Sequence, residues 1–174
     1  MAACVLAVSC GHPVICRSVH YYTEQGLCVH DPVGVGQEAV EEITLIVERE
    51  VMRDHGYSLS EIRAEYHDTD VTLHASPRSS DGRLGYVRMT YGPAIDDYFR
   101  VHAWSLYDCK NYWILGHELL HVANLTVEGP IKAEASSAKM HPRGWFRHRD
   151  YSGAENARST EHRIEMRIRD RFCE

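Results

Sequence analysis

Nowhere does this 174-residue chain hold an apolar run approaching the ~18 residues of a membrane-spanning helix, so no such span is expected. Residues Met1 to Val8 are apolar, but they are too few for a secretory core and no basic residue precedes them. A cytoplasmic location is therefore expected. Positive charge is not in excess either: 19 Lys and Arg face 25 Asp and Glu, for a net charge of -6. Bulk nucleic-acid binding is not expected from that balance. There is no internal repeat, low-complexity tract or interdomain linker, which leaves one domain over residues 1–174, large enough for a real core. Gly34 and Gly36 precede a helix, but no Lys-Ser/Thr or third Gly follows in place, which excludes a phosphate loop. The six cysteines (4, 10, 16, 28, 109 and 173) lack the C-x2-C spacing of a zinc knuckle. Cys4, Cys10, Cys16 and Cys28 stand near His12, His20 and His30, yet read as buried strand residues. In a chain this long without a leader, free thiols are expected rather than a disulfide framework.

What the chain does have is His117-Glu118-Leu119-Leu120-His121, set in an apolar helical run from Tyr112 to Leu125. Positions i and i+4 of a helix project from the same face, so both imidazoles can bind one metal ion. Glu118 lies about 100° round the helix from His117. Its carboxylate can stand beside the metal and deprotonate a water without ligating. Two His and a Glu on a core-facing helix are costly to bury without a ligand. H-E-x-x-H on a helix is the signature of zinc-dependent peptidases.

The remaining pattern is α plus β. Residues 3 to 9 and 14 to 21 read as strands and 26 to 36 as loop. Gln37 to His55 is the clearest helix, with Val40, Ile43, Val47 and Val51 on one face and Gly56 as its stop. Its Glu and Arg residues read as a solvated face. Strands are expected over Ile62 to Tyr66, Val71 to Ala75, Gly85 to Tyr91 and Tyr98 to Leu106. Asp108 or Asn111 can cap the motif helix. Residues 126 to 153 read as a long loop, and Ala154 to Phe172 as a last helix. From Lys139 to Arg171 basic residues outnumber acidic ones; a solvated helix face is the ordinary meaning, and a field favouring acidic substrates or a partner is the other.

On the H-E-x-x-H motif, and on the order helix, mixed sheet, motif helix, loop and C-terminal helix, the chain resembles the zincin fold of metallopeptidases over about residues 36 to 172. The likeness is specific at the motif and architectural elsewhere. It implies a mixed twisted sheet with an N-terminal helix, an active-site helix and a C-terminal helix. It also implies a Zn2+ cofactor on His117, His121 and a third protein ligand, with one position left for water. The metzincin pattern fails, because Asn124 holds its Gly position and Val127 its third-His position. Peptide deformylases take a Cys from an upstream motif that is missing here, and Cys109 stands too close to replace it. Gluzincins take a Glu from a later helix, followed four residues on by an acid that orients a ligating His. That resemblance implies Glu161 as ligand and Glu165 as His partner, with Glu134, His141, His148, Asp150, Glu155 and His162 as other candidates. It also implies an oxyanion donor, for which Tyr151 stands first and His148 second.

These expectations describe a zinc endopeptidase acting on a peptide or protein, with Glu118 as general base. The substrate would lie extended against an edge strand, either Gly85 to Tyr91 or Tyr98 to Leu106. The alternatives are a metal-dependent amidase acting on a non-protein amide, and a non-catalytic binding or structural protein on a zincin fold. An intact Glu118 speaks against the last.

Overall fold

The computed structural model describes residues 20–92, 95–129 and 137–173. The strand expected over residues 3 to 9 lies outside them, as does nearly all of the one over 14 to 21. The rest is a mixed α+β arrangement: a five-stranded mixed sheet with helices packed against it. Its strands are β1 (Tyr21–Tyr22), β2 (Cys28–His30), β3 (Thr69–Leu73), β4 (Gly85–Gly92) and β5 (Ile95–Ala103), in spatial order β1-β2-β3-β5-β4. β2, β3 and β5 run parallel, and β1 and β4 close the two sides antiparallel. β2 falls in the stretch expected to be loop.

Alternation decides which side of the sheet is core. Thr69, Val71 and Leu73 of β3 and Phe99, Val101 and Ala103 of β5 are buried, while Asp70, Thr72, Arg100 and His102 face the other way. The inward set meets helix α1 (Gln37–His55), whose Val40, Ile43, Val47 and Val51 have no exposed surface. Those four residues are the stripe that the 3–4 spacing marks. α1 ends at Gly56, as expected. Its polar side is less solvated than expected. Glu48 is 1% exposed and held by both Arg63 Nε (2.6 Å) and Nη2 (2.7 Å), a bidentate pair that offsets the loss of hydration. Glu50, also buried, is met by Arg53, Arg163 and Arg167.

The strand expected over Ile62 to Tyr66 is a helical turn instead, α2 (Leu59–Ile62), followed by a 3-10 turn at Tyr66–Asp68. The reason is local. Ser58 and Glu61 form a reciprocal capping box, with Ser58 N–H donating to Glu61 Oε2 at 2.7 Å, and this starts a helix just where the alternation suggests a strand.

The motif helix is α3 (Trp113–Glu128), entered through a 3-10 turn whose Lys110 N–H is capped by Asp108. Two short helices follow, α4 (Ser137–Met140) and α5 (Gly153–Asn156), and then α6 (Thr160–Phe172). The last helix thus starts later than expected. A second Ser cap, Ser159 Oγ accepting from His162 N–H, opens α6 separately from α5. α3 packs on β4, β5, α1 and α6. Its crossing with α6 is close because residue 116 is Gly: a Cβ there would run into Ile164 and Ile168, both buried. Each of those isoleucines stabilises the crossing by about 1.5–3 kcal/mol.

Cys109, just before α3, is joined to Cys173, at the end of α6, by a disulfide with Cα atoms 5.7 Å apart. Cys28 is disulfide-bonded as well. The expectation of free thiols is therefore corrected: the sequence gives no spacing signal for a bridge whose halves lie 64 residues apart and meet only once α3 and α6 are docked. Among the described residues no helix is long and apolar enough to cross a membrane.

Candidate metal centre

The site begins with the i,i+4 geometry of α3. His117 and His121 turn their Nε2 atoms toward each other, 3.2 Å apart. The third member comes from beyond the helix. Directly after α4, His141 brings a ring nitrogen into the same space, so that one ligand atom from each of His117, His121 and His141 lies within 4.8 Å of the others. Three imidazole nitrogens converging on one point, with no anion between them, form a cradle for a cation. The electrostatics agree. Burial lowers the His121 pKa well below its usual value, and the neighbouring His117 and His141 lower it further. His121 is therefore held neutral, with its lone pair available.

No protein-family model, no curated protein and no solved structure matches this chain.

Phe146 forms the floor. It is fully buried and touches all three rings, stacked on His121 (centroids 4.2 Å, 22° between planes) and edge-on to His117 (5.4 Å) and His141 (5.2 Å). Its position follows from the turn before it, where Trp145 and Phe146 N–H both donate to Pro142 C=O. The same segment serves the start of α6. Thr160 N–H donates to Gly144 C=O and Glu161 N–H to Trp145 C=O, each at 2.9 Å, which satisfies first-turn donors that a helix leaves open. Residues 144–147 thereby tie the His141 turn to α6.

Glu161 does not join the three His nitrogens. Its Oε1 stands 3.1 Å from His117 Nδ1, across the imidazole from Nε2, and 3.1 Å from Arg147 Nη2, while Oε2 accepts from Arg147 N–H at 2.7 Å. Both oxygens face these groups, and the ligand atoms that lie together come from His117, His121 and His141. Glu161, not Glu165, stands beside the His117 nitrogen that faces away from His121. Burial alone would raise the Glu161 pKa; His117 and the Arg147 donors outweigh it and bring it down to about 2, so Glu161 is an anion. Conversely, burial alone would lower His117, and the Glu161 and Glu118 carboxylates hold it above its usual value. Glu165 pairs with Arg147 (2.6 Å) and Arg169 (2.6 Å), not with a histidine. The i,i+4 acids do share a face, but Arg147, which no sequence pattern marks, comes between Glu165 and the site.

Tyr151 is also placed differently from expectation. Its hydroxyl donates to His141 C=O at 2.8 Å, which positions the His141 turn. His148 lies nearer the cluster, its ring centroid 6.2 Å from that of His141. Of the other candidates, Glu134 falls outside the described residues, while Glu155 caps α5 and Asp150 pairs with His148. His162 lies in the first turn of α6, its N–H on the Ser159 cap.

Glu118 is 4% exposed. Burial raises its carboxyl; His117 opposes this, Glu161 adds to it and Arg83 opposes it, leaving a pKa of about 7. The space for Glu118 is created by the sheet. β4 crosses above it at Gly85, where any Cβ would overlap the Glu118 carboxylate. Among the described residues β4 pairs only with β5, and no described strand bonds to its other edge. Trp104 N–H donates to Leu84 C=O, and with the Gly85↔Ala103 register this fixes the phase of the ladder. Residues Leu84, Tyr86 and Arg88 bond to β5, and Gly85, Val87 and Met89 turn their backbone N–H and C=O outward.

Proposed function

We propose that this chain is a zinc-dependent peptidase of zincin-like architecture. His117, His121 and His141 would hold the metal, and Glu118 would act as general base. The observation that carries this reading is the convergence of three His nitrogens beside the buried Glu118 carboxylate. Three imidazoles, each giving up any ring proton at the ligating nitrogen when it binds, are a donor set that suits zinc and would leave a fourth position for water. A zinc ion in that place supplies Lewis acidity and lowers the pKa of the water. The protein supplies the rest. Glu118, buried beside that position, would take the proton of the water and return it to the leaving amine. Glu161, itself bonded by Arg147, would orient His117 from its Nδ1 side, and Tyr151 holds the His141 turn. The outer edge of β4 offers the N–H and C=O of Gly85, Val87 and Met89 to an extended peptide, beginning directly above Glu118.

A purely structural metal has no need of a buried carboxylate beside it, which favours an enzyme over a binding module. The Cys109–Cys173 disulfide supports an oxidising compartment over the cytoplasmic one expected from the sequence.

The test compares wild type with Glu118→Gln. Both should bind about one zinc per chain, and the variant should lose hydrolysis of a diverse peptide library by several orders of magnitude. A wild-type protein that holds its zinc fully and cleaves nothing overturns the peptidase reading.

A further inference from the structure

A cleft of about 610 Å³ lies beside β4, its lining shared between the 76–83 turn and the strand itself. Arg78, Arg83 and Arg88 bring three guanidinium groups to it, and Tyr86 and Trp104 supply aromatic wall. One carboxylate stands against them, Asp81, which pairs with Arg83 at 2.9 Å. Arg78 gives one donor to Gly82 C=O. Across the ladder Arg88 faces Arg100, whose charge is met on its other side by Asp70 of β3. The cleft is therefore a net cationic pocket with apolar sides.

Its position relative to the metal centre matters more than its charge alone. Gly85 lies over Glu118, and Tyr86 and Arg88 lie one and three residues further along the same strand. At roughly 3.3 Å per residue, the pocket starts within about 10 Å of the point where a peptide would cross Glu118. A strand added to the outer edge alternates its side chains between the two faces. Those on the α3 face look toward the metal, and those on the other face pass Tyr86, Arg88 and the Arg83 turn.

We propose that this cleft is a specificity subsite for an acidic side chain, Asp or Glu, carried by the peptide within about three residues of the bond set over Glu118. The carboxylate sits among Arg78, Arg83 and Arg88 while its methylenes lie on Tyr86 and Trp104. Arginine forks suit carboxylates in this way. The proposal rests on the peptidase reading for its register and on the cleft for its chemistry.

The experiment separates the two. Zinc-loaded Glu118→Gln protein is titrated with fluorescein-labelled peptides that differ only in Glu, Gln or Lys at the candidate positions, read by anisotropy at low and high salt. Glu peptides should bind at least ten-fold tighter than Lys peptides, with the gap narrowing in salt. Arg83→Glu/Arg88→Glu in the same background should invert the order, with zinc content and circular dichroism unchanged. If that double variant does not fold, Arg88→Gln, at an exposed position, should still reduce the gap. Equal affinity for Glu and Lys peptides, no binding of either, or a preference that survives the Arg substitutions overturns the subsite. Zinc-loaded wild type is then given the same peptides. A clear Glu preference in binding with no cleavage of any peptide leaves the subsite standing and removes the peptidase reading.

Discussion

Glu161 Oε1 lies 3.1 Å from His117 Nδ1, on the opposite side of the imidazole from the nitrogen that faces His121. A carboxylate in that position orients a ligand without being one. Glu161→Gln should therefore lower zinc affinity by about 10–100-fold and leave the stoichiometry at one. Competition with a chromogenic chelator measures this. Complete loss of zinc from the variant would return Glu161 to the ligand set.

His141→Ala should cost more than Glu161→Gln, because it removes a donor and leaves two. Zinc should dialyse away under conditions in which the Glu161 variant keeps it. If His141→Ala retains wild-type affinity, the third ligand is another residue.

Gly85→Ala places a methyl group where the Glu118 carboxylate stands. Either the strand shifts or Glu118 moves, and overpacking of this kind costs about 1–3 kcal/mol. Activity should fall sharply while zinc binding is kept, since no ligand is touched. Urea denaturation and metal analysis on one sample give both readings. Wild-type turnover in Gly85→Ala would mean that the approach of β4 to Glu118 does not matter to the reaction.

His102 is half-buried on the outer face of the sheet, with Nδ1 3.1 Å from His74 Nε2. Burial lowers its pKa to about 4, helped by His74 and Arg100. Because the folded value lies below the unfolded one of about 6.5, the unfolded chain binds more protons between the two. This group's contribution makes stability fall as pH drops from about 6.5 toward 4. His102→Gln should flatten that slope in denaturation curves collected across the window, and an unchanged slope would assign it elsewhere.

The Cys109–Cys173 disulfide closes a long loop and should contribute about 2–4 kcal/mol. Cys109→Ser/Cys173→Ser should lower the denaturation midpoint by a matching amount in non-reducing buffer. Wild-type and variant midpoints should converge once a reductant is added, and any gap left would exceed what the bridge explains.

The parts of this structure that the sequence made legible are those with a period. The buried stripe of α1, β3, the β4–β5 pair and the His117–His121 face all follow from spacing within one segment. The capping box at Ser58 and Glu61 was also written in the sequence, but a short alternating run competed with it and suggested a strand. His141 was one candidate among several, because a ligand arriving from a turn after α4 has no periodic relation to α3. Arg147 and Phe146 carried no signal at all. Their roles exist only after the 144–147 segment has met the first turn of α6, a tertiary event that no local pattern encodes. For the same reason helical spacing shows that Glu161 and Glu165 share a face, but not that Arg147 stands in front of it.

The outer edge of β4 has a second consequence, for the company the molecule keeps in concentrated solution. A bare strand edge is an invitation to any other strand, including the same edge of another copy. Two such edges meeting would bring Arg83 and Arg88 of one molecule near those of the other, and like charges side by side disfavour that pairing. The cations that would welcome an acidic guest thus also discourage stacking of one copy on the next. Neutralising them should leave the protein folded but prone to self-association.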